Sequence, residues 1–365
     1  MKKKEKKKWK IWQRLLFGVL NFLVVCVAVF VILIVILCVS EYRPNEIEKV
    51  GVERVVDSYV PMGEPISIMT YNIGYGALGD NADFFMDGGE GVKTADRDRV
   101  YSNMQGIIDT TRELDPDLIF YQEVDCNSHR SSHIDEEEMM EVEFPEYETA
   151  FAYNFRVFFI PYPIPPIGRV SSGIMTLSRY EVLDAERIQL PCPFEGIERL
   201  GNLKRCLLVA YLPIEGSDKE LVLVNLHLEA YDDGEGKAAQ TEVLREVLQE
   251  EYEKGNYVIA GGDFNQTFSG TDTTAYPVYP DRWQPGVIEE SDLPEGWQFV
   301  MDNETPTCRS LDQPYAGADP ETFQYYMIDG FILSSNVKLL DVETEDLGFE
   351  YADHNPVLMQ VELVQ

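Results

Sequence analysis

The chain reads as an α/β protein of two packed β-sheets with helices outside them, preceded by one membrane-spanning helix. Three observations predict this. Strand–helix units are mixed with bare hairpins along the chain, an order that builds sheets packed on each other as well as on helices. Six times an apolar run is followed at its strand end by an acid, an amide or an imidazole. An apolar run from Leu15 to Val39 follows a lysine-rich start.

The N-terminus comes first. Lys2, Lys3, Lys4, Lys6, Lys7, Lys8, Lys10 and Arg14 precede the run, which contains Asn21 as its one strongly polar residue. A helix rises about 1.5 Å per residue, so residues 15–39 cross the ~30 Å hydrocarbon core with some tilt. Trp9, Trp12 and Tyr42 fall near the two interfaces. Cationic flanks stay in the cytoplasm, which predicts a cytoplasmic tail over 1–14 and everything after Ser40 outside. The run is too long for an ordinary signal peptide and lacks a small-residue cleavage site, so an uncleaved signal anchor is expected. Residues 40–63, with Pro44, Pro61 and Gly63, read as a linker, and 64–365 as the catalytic domain.

Net charge is −34 over 365 residues. Beyond the first 40 residues there are 22 basic and 63 acidic side chains, a net −41. Such a surface repels nucleic acid and anionic lipid unless a basic patch or bound cations intervene. Cys126, Cys192, Cys206 and Cys308 lie in the exported part without metal-pair spacing; disulfides and free buried thiols are both open.

The elements then follow in order. Ile66 to Tyr71 is a strand. Val100, Met104, Ile107 and Ile108 form the stripe of an amphipathic helix that Pro116 closes. Leu118–Tyr121 is a buried strand running into Gln122-Glu123. The acidic stretch 135–148 reads as a solvated loop or exposed helix. Residues 155–167 carry four prolines and read as an apolar loop, either buried or forming a substrate- or membrane-facing lip. Strands are expected near 173–177, 206–212 and 221–226. A helix carrying Val243, Leu244, Val247 and Leu248 stops at Gly255. Further strands cover Tyr257–Ala260, 326–333 and 357–363.

Gly261-Gly262-Asp263-Phe264-Asn265 follows directly on the strand at Tyr257. Alternate strand residues share a face, so Asp263 and Asn265 can point together while Phe264 packs behind. The two glycines would let backbone approach a ligand closely. A carboxylate beside a carboxamide can hold an attacking water next to a phosphoryl oxygen. Asn72, Glu123, His227, Asp329, Asp353 and His354 stand in comparable positions. Any one of them alone reads more simply as a turn former or helix cap.

Taken together, Tyr71-Asn72, Gln122-Glu123, Asn225-Leu226-His227-Leu228, Gly262-Asp263-Phe264-Asn265, Ile328-Asp329 and Asp353-His354 resemble the endonuclease/exonuclease/phosphatase superfamily. The resemblance covers about residues 64–365 and implies a DNase I-like four-layer α/β/β/α sandwich. It also implies Mg²⁺-dependent phosphoester hydrolysis, with Mn²⁺ able to substitute at hard oxygen ligands. Glu123, Asn72 and Asp353 would hold the metal. Asp263 would activate water, and Asn265 would bind a phosphoryl oxygen or fix that water. His354 would donate to the phosphoryl group with Asp329 orienting its ring, and His227 would contact phosphate or assist the leaving group. Ala352 stands where the family often has Ser. The family's further acid between Asn72 and Glu123 is open among Asp83, Asp87, Asp96 and Asp98. A lipid headgroup or small phosphoester is the expected substrate class. An extracellular nuclease is the alternative, disfavoured by acidity, and a non-catalytic anchored binding protein is the remote one. Oligomeric state is not legible.

Overall fold

The computed structural model describes residues 9–53, 56–232 and 234–364; residues 1–8 of the expected tail lie outside them. Among the described residues, fourteen strands form two seven-stranded sheets. The first runs β1 (Ile47–Lys49), β7 (Asp184–Gln189), β8 (Cys206–Pro213), β9 (Glu220–His227), β10 (Tyr257–Asp263), β16 (Asp329–Leu333), β13 (Gln298–Val300). The second runs β17 (Val337–Thr344), β18 (Val357–Leu363), β3 (Pro65–Asn72), β4 (Leu118–Asp125), β6 (Gly168–Ser178), β5 (Glu148–Ile160), β2 (Val52–Glu53). Two small pairs lie outside them: β11 (Gln266–Phe268) with β12 (Gly286–Ile288), and β14 (Cys308–Arg309) with β15 (Tyr325–Tyr326). The helices are α1 (Ile11–Ser40), α2 (Arg97–Leu114), α3 (Glu136–Glu143), α4 (Glu198–Gly201) and α5 (Glu235–Glu253).

Side-chain alternation makes the layers. Ile66, Ile68, Leu118 and Phe120 face Leu221, Leu223, Ile259 and Phe331 in one core between the sheets. The intervening Met69, Tyr71, Ile119 and Tyr121 turn outward onto Val100, Met104, Ile107 and Ile108 of α2 and Met140 of α3. Val222, Val224, Val258 and Ala260 turn the other way, onto Leu244 and Leu248 of α5. The central strands are therefore apolar on both faces, as sheets covered on both sides require. The result is the four-layer α/β/β/α sandwich, with α1 long and apolar enough to cross a membrane.

Several expectations change. The segment read as a linker adds a strand to each sheet, β1 on β7 and β2 on β5, and Val60 bridges Ile214. Short edge strands need only a few ladder hydrogen bonds, so their charged, proline-flanked sequence did not announce them. The 155–167 segment is not simply a loop. β5 continues to Ile160 and pairs with β6 to Gly168, leaving the four prolines in the turn. The run 326–333 splits into β15 and β16, and Asp329 opens its strand rather than ending one. β7 and β17 were not foreseen. Gly255, at φ 88°, stops α5 as expected.

Candidate active site

Register explains the site. Asp263 pairs with His227 across the parallel β10–β9 ladder and with Asp329 across the antiparallel β10–β16 ladder. Three polar side chains thus stand in a row at one end of the first sheet. In the second sheet Asn72 pairs with Gln122 across β3–β4. The β4–β6 ladder is irregular between Tyr121 and Val124, and Glu123 within it takes φ 59°. Such a bulge re-aims a side chain, and a left-handed non-glycine residue there is strain of the kind kept at functional sites. Glu123 Oε1 accordingly lies 3.5 Å from Asn72 Nδ2. Asp353 and His354 come from the segment just before β18.

The two rows meet between the sheets. Asn72 Nδ2 donates to Asp263 Oδ2 at 3.0 Å. His227 Nε2 lies 3.4 Å from the same oxygen. His354 Nδ1 sits 2.8 Å from Asp329 Oδ2, while its Nε2 is 3.4 Å from Asn72 Nδ2 and 3.9 Å from Asp263 Oδ2. The backbone N–H of Asn265 donates to Asp263 Oδ1 at 2.8 Å, and Asn265 Nδ2 donates to Leu228 O at 2.9 Å. All these residues except Glu123 are at most 6 % exposed; the Glu123 side chain is 23 % exposed. Gln122 Nε2 donates to Asn225 Oδ1 at 2.9 Å, a buried polar link that holds the sheets in step behind the site. The eight residues expected from the sequence, Asn72, Glu123, His227, Asp263, Asn265, Asp329, Asp353 and His354, therefore converge.

The electrostatics follow from burial. Burial lifts the Asp263 pKa to about 7, helped by the Asp329 carboxylate and opposed by His354. Burial likewise lifts Asp353 to about 6, against the pull of His354 and with Glu123 adding to the rise. Burial works against charge on His354, yet the adjacent Asp329 prevails and holds its pKa well above the histidine range. His227 is pushed well below that range by burial and by the Arg205 guanidinium. One imidazole is cationic and the other neutral, a separation of roles set by environment.

Asp353 Oδ1 is buried without a hydrogen-bond partner, and the nearest cation to Glu123 is Arg130 at 3.9 Å. A buried carboxylate with an unpartnered oxygen, Asp353, and the part-exposed carboxylate of Glu123 beside the Asn72 carboxamide fit a hard divalent cation.

A cleft of about 560 Å³ opens over this floor. Phe155, Ile160, Tyr162 and Ile167 form one wall, and Phe84, Phe85 and Met86 another. Arg130, which no sequence signal marked, also reaches the cleft. Its side chain is 12 % exposed, and its guanidinium makes a two-point ion pair with Asp125 and lies 3.7 Å from the Tyr75 ring centroid. Arg205, in the basic pair Lys204-Arg205, also borders the cleft, as do Arg282 and Arg309, which no local motif marks. Of the four acids left open, Asp87 alone lines the cleft. Its carboxylate accepts from the Tyr231 hydroxyl at 3.1 Å, and burial lifts its pKa to about 7. Asp83 accepts backbone N–H groups of Glu90 and Gly91, and Asp96 caps α2.

The glycines before Asp263 serve packing rather than ligand approach. A Cβ on Gly261 would meet the Phe331 ring at 2.4 Å, and one on Gly262, at φ 147°, would meet Leu226 O at 2.0 Å. The described cysteines are free. Cys308 lies beside Asp353 and His354. Burial pushes its thiol up to about 12, so it stays protonated.

Carboxylates and imidazoles gathered where two packed sheets end define a metal-dependent hydrolase of phosphoesters. The model of the Endonuclease/Exonuclease/phosphatase family matches residues 69–353, and the chain belongs to that family. Solved structures share the fold. An endonuclease/exonuclease/phosphatase from Beutenbergia cavernae is 18 % identical, with TM-score 0.56, over 82 % of this chain and 72 % of that one. One from Bacteroides vulgatus is 16 % identical, with TM-score 0.51, over 82 % and 99 %. The human Nocturnin catalytic domain, with a bound sulfate anion, is 14 % identical, with TM-score 0.50, over 84 % and 97 %. No curated protein sequence matches the chain.

Proposed function

We propose that the chain is a membrane-anchored, extracytoplasmic, Mg²⁺-dependent phosphoesterase acting on a lipid headgroup or small phosphoester. Residues 1–14 form its cytoplasmic tail, 15–39 its span and 64–365, with the edge strands before them, its catalytic part. The observation that carries the chemistry is the contact of Asn72 with Asp263 across the two sheets, 3.0 Å long, beside the Asp329–His354 pair.

Glu123, Asp353 and Asn72 would hold the metal. Bound there, Mg²⁺ supplies positive charge against the phosphoryl oxygens; Mn²⁺ can replace it. Asp263, with a pKa near neutral, accepts a proton from the attacking water. Asn265 spends an N–H on Leu228 O, which leaves its Oδ1 to accept from that water and hold it in line. Protonated His354, kept in place by Asp329, donates to a phosphoryl oxygen. Neutral His227 contacts the phosphate beside Asp263. The water oxygen bonds to phosphorus, the ester P–O bond breaks, and the leaving oxygen takes up a proton from solvent, while Asp263 later returns its proton to solvent.

The arginines around the cleft favour a compact substrate over a nucleic-acid strand. Arg130 is held by Asp125, Arg205 by Glu229 and His227 O, Arg282 by Asp312, and Arg309 by backbone carbonyls of Gly79 and Ser310. None of these four is left to follow a phosphate backbone. The test is a Mg²⁺ panel of phospholipids, small phosphoesters, plasmid DNA and RNA. Cleavage of DNA or RNA alone would replace this reading with the nuclease. Hydrolysis unchanged by EDTA or by Asp263→Ala would remove the mechanism.

A further inference from the structure

We propose that the tip of the β5–β6 hairpin is a membrane-docking surface, and that the cleft beside it takes the phosphoester headgroup of a phospholipid from the bilayer that holds α1. The substrate half rests on the phosphoesterase reading above; the docking half does not.

The first observation is exposure. Phe158, Tyr162 and Ile164 are 59 %, 67 % and 94 % exposed at one tip. Scattered surface apolar residues mean little, but three large ones at one hairpin end, Phe158 in the last residues of β5 and Tyr162 and Ile164 in the turn, mark an interaction surface. The second is charge. Residues 149–178 contain no Asp or Glu, and their charges are Arg156 and Arg169, in a chain with 64 acids. This is the local exception that an otherwise repellent surface needs before it can approach phospholipid headgroups. The third is the turn itself. Pro161, Pro163, Pro165 and Pro166 have no N–H to leave unsatisfied, so pressing this backbone into the interface strands few donors.

The fourth observation selects the occupant. α1 contacts β5, and Leu37, one turn before the helix ends, is buried. Glu41, directly after α1, pairs with Arg199 at 3.2 Å and Lys204 at 3.8 Å. Gly201, Asn202 and Leu203, between those two cations, line the cleft. The exit of the span and the rim of the cleft are thus joined by direct contacts. The hairpin that α1 touches also carries the exposed tip. Aromatic side chains at such a level suit the headgroup interface.

The hairpin's other side completes the argument. Phe155, Ile160, Tyr162 and Ile167 line the cleft, and Tyr162 meets Phe85 of the opposite wall at 5.9 Å between ring centroids. An apolar wall leads from the tip to a floor of carboxylates and imidazoles. That gradient matches a molecule with a phosphoester at one end and hydrocarbon at the other. A small polar phosphoester would gain nothing from the wall.

The test uses the full chain reconstituted in phosphatidylcholine–phosphatidylglycerol vesicles with the catalytic part outward. Ile164→Trp should show quenching by bromine-labelled acyl chains beyond that of the parent chain, whose own tryptophans set the baseline. Val287→Trp, at an exposed β12 position, should show none. Phe158→Ser with Ile164→Ser should lower phospholipid hydrolysis by about tenfold or more, given the apolar area withdrawn from the bilayer. It should leave bis(p-nitrophenyl) phosphate hydrolysis within about twofold. No extra quenching at residue 164, or self-association of the chain through this tip, overturns the docking surface. Equal loss on both substrates, or hydrolysis of the soluble ester without any of phospholipid, overturns the lipid substrate. Quenching at 164 with no phosphoester hydrolysed at all leaves docking standing and fells the phosphoesterase reading instead.

Discussion

The floor of the cleft and its lip follow opposite rules. On the floor, Asn72, Asp263, Asp329 and His354 are buried and joined by short hydrogen bonds, so each position depends on the register of two sheets. On the lip, Phe158 and Ile164 are exposed and need only be apolar. Removing one member of a buried polar network is costly, because the partner it leaves behind is unpaired in low dielectric. A greasy turn tolerates almost any large side chain. On the proposed reading, the floor determines the reaction and the lip determines which molecules reach it.

Predictions can break that division. Metal removal should have the largest effect: EDTA abolishes hydrolysis of lipid and soluble esters alike, and Mg²⁺ restores both. Next, Asp263→Ala should lower kcat by about 10²–10⁴-fold on both substrates, the range for a positioned acid–base group. A loss confined to lipid would place Asp263 with the lip and erase the distinction. Asp329→Asn should act through its neighbours, and the sign can be worked out. Removing a negative charge beside Asp263 favours its ionised form, so its pKa drops below about 7 and the rising limb of the pH–rate profile moves to lower pH. His354 loses the partner that holds its proton, so the falling limb moves down too. The whole bell should shift to lower pH, with reduced kcat; an unshifted bell with reduced kcat would mean a purely structural role.

The sequence revealed the floor more clearly than the lip for the same reason. Strand-end residues such as Asp263 and His227 follow apolar runs whose period fixes which face they take, so eight residues could be named before their contacts were known. Arg130 could not be named. It reaches the floor from a turn stacked on Tyr75, and nothing periodic announces that. Edge strands β1 and β2 were hidden in charged sequence, because an edge needs ladder partners and not hydrophobicity. The hairpin's prolines suggested a loop, yet they occupy only its turn, where a missing N–H costs no ladder bond. The acidic stretch 135–148 misled most locally. Its composition suggests solvation, while Glu136 is fully buried, its Oε2 accepting the Asp125 N–H at 2.8 Å and its Oε1 unpartnered.

Glu136 supplies the smallest prediction and tests how far the floor extends. Burial, and behind it the Asp125 carboxylate, hold its pKa well above the usual range, against the Asp125 N–H and Arg130. In the unfolded chain a glutamate loses its proton near about 4.3. Below that pH the side chain is protonated in both states and its folded pKa contributes full stability. As pH rises toward the folded-state value, the unfolded chain ionises first and that contribution drains away. Gln has no proton to lose, so Glu136→Gln should leave Tm nearly unchanged around pH 4. It should raise Tm at pH 8 by about 2–4 °C, the effect of about 1 kcal/mol in a domain this large. Scanning fluorimetry of the detergent-solubilised chain across pH reads this directly. Activity measured alongside locates the boundary. If Glu136 only supports Asp125, kcat stays within about twofold, since the Arg130–Asp125 pair is intact. If kcat falls tenfold at unchanged Tm, the buried acid tunes Arg130 against Glu123, and the catalytic floor reaches one shell further from the cleft than the strand rows that define it.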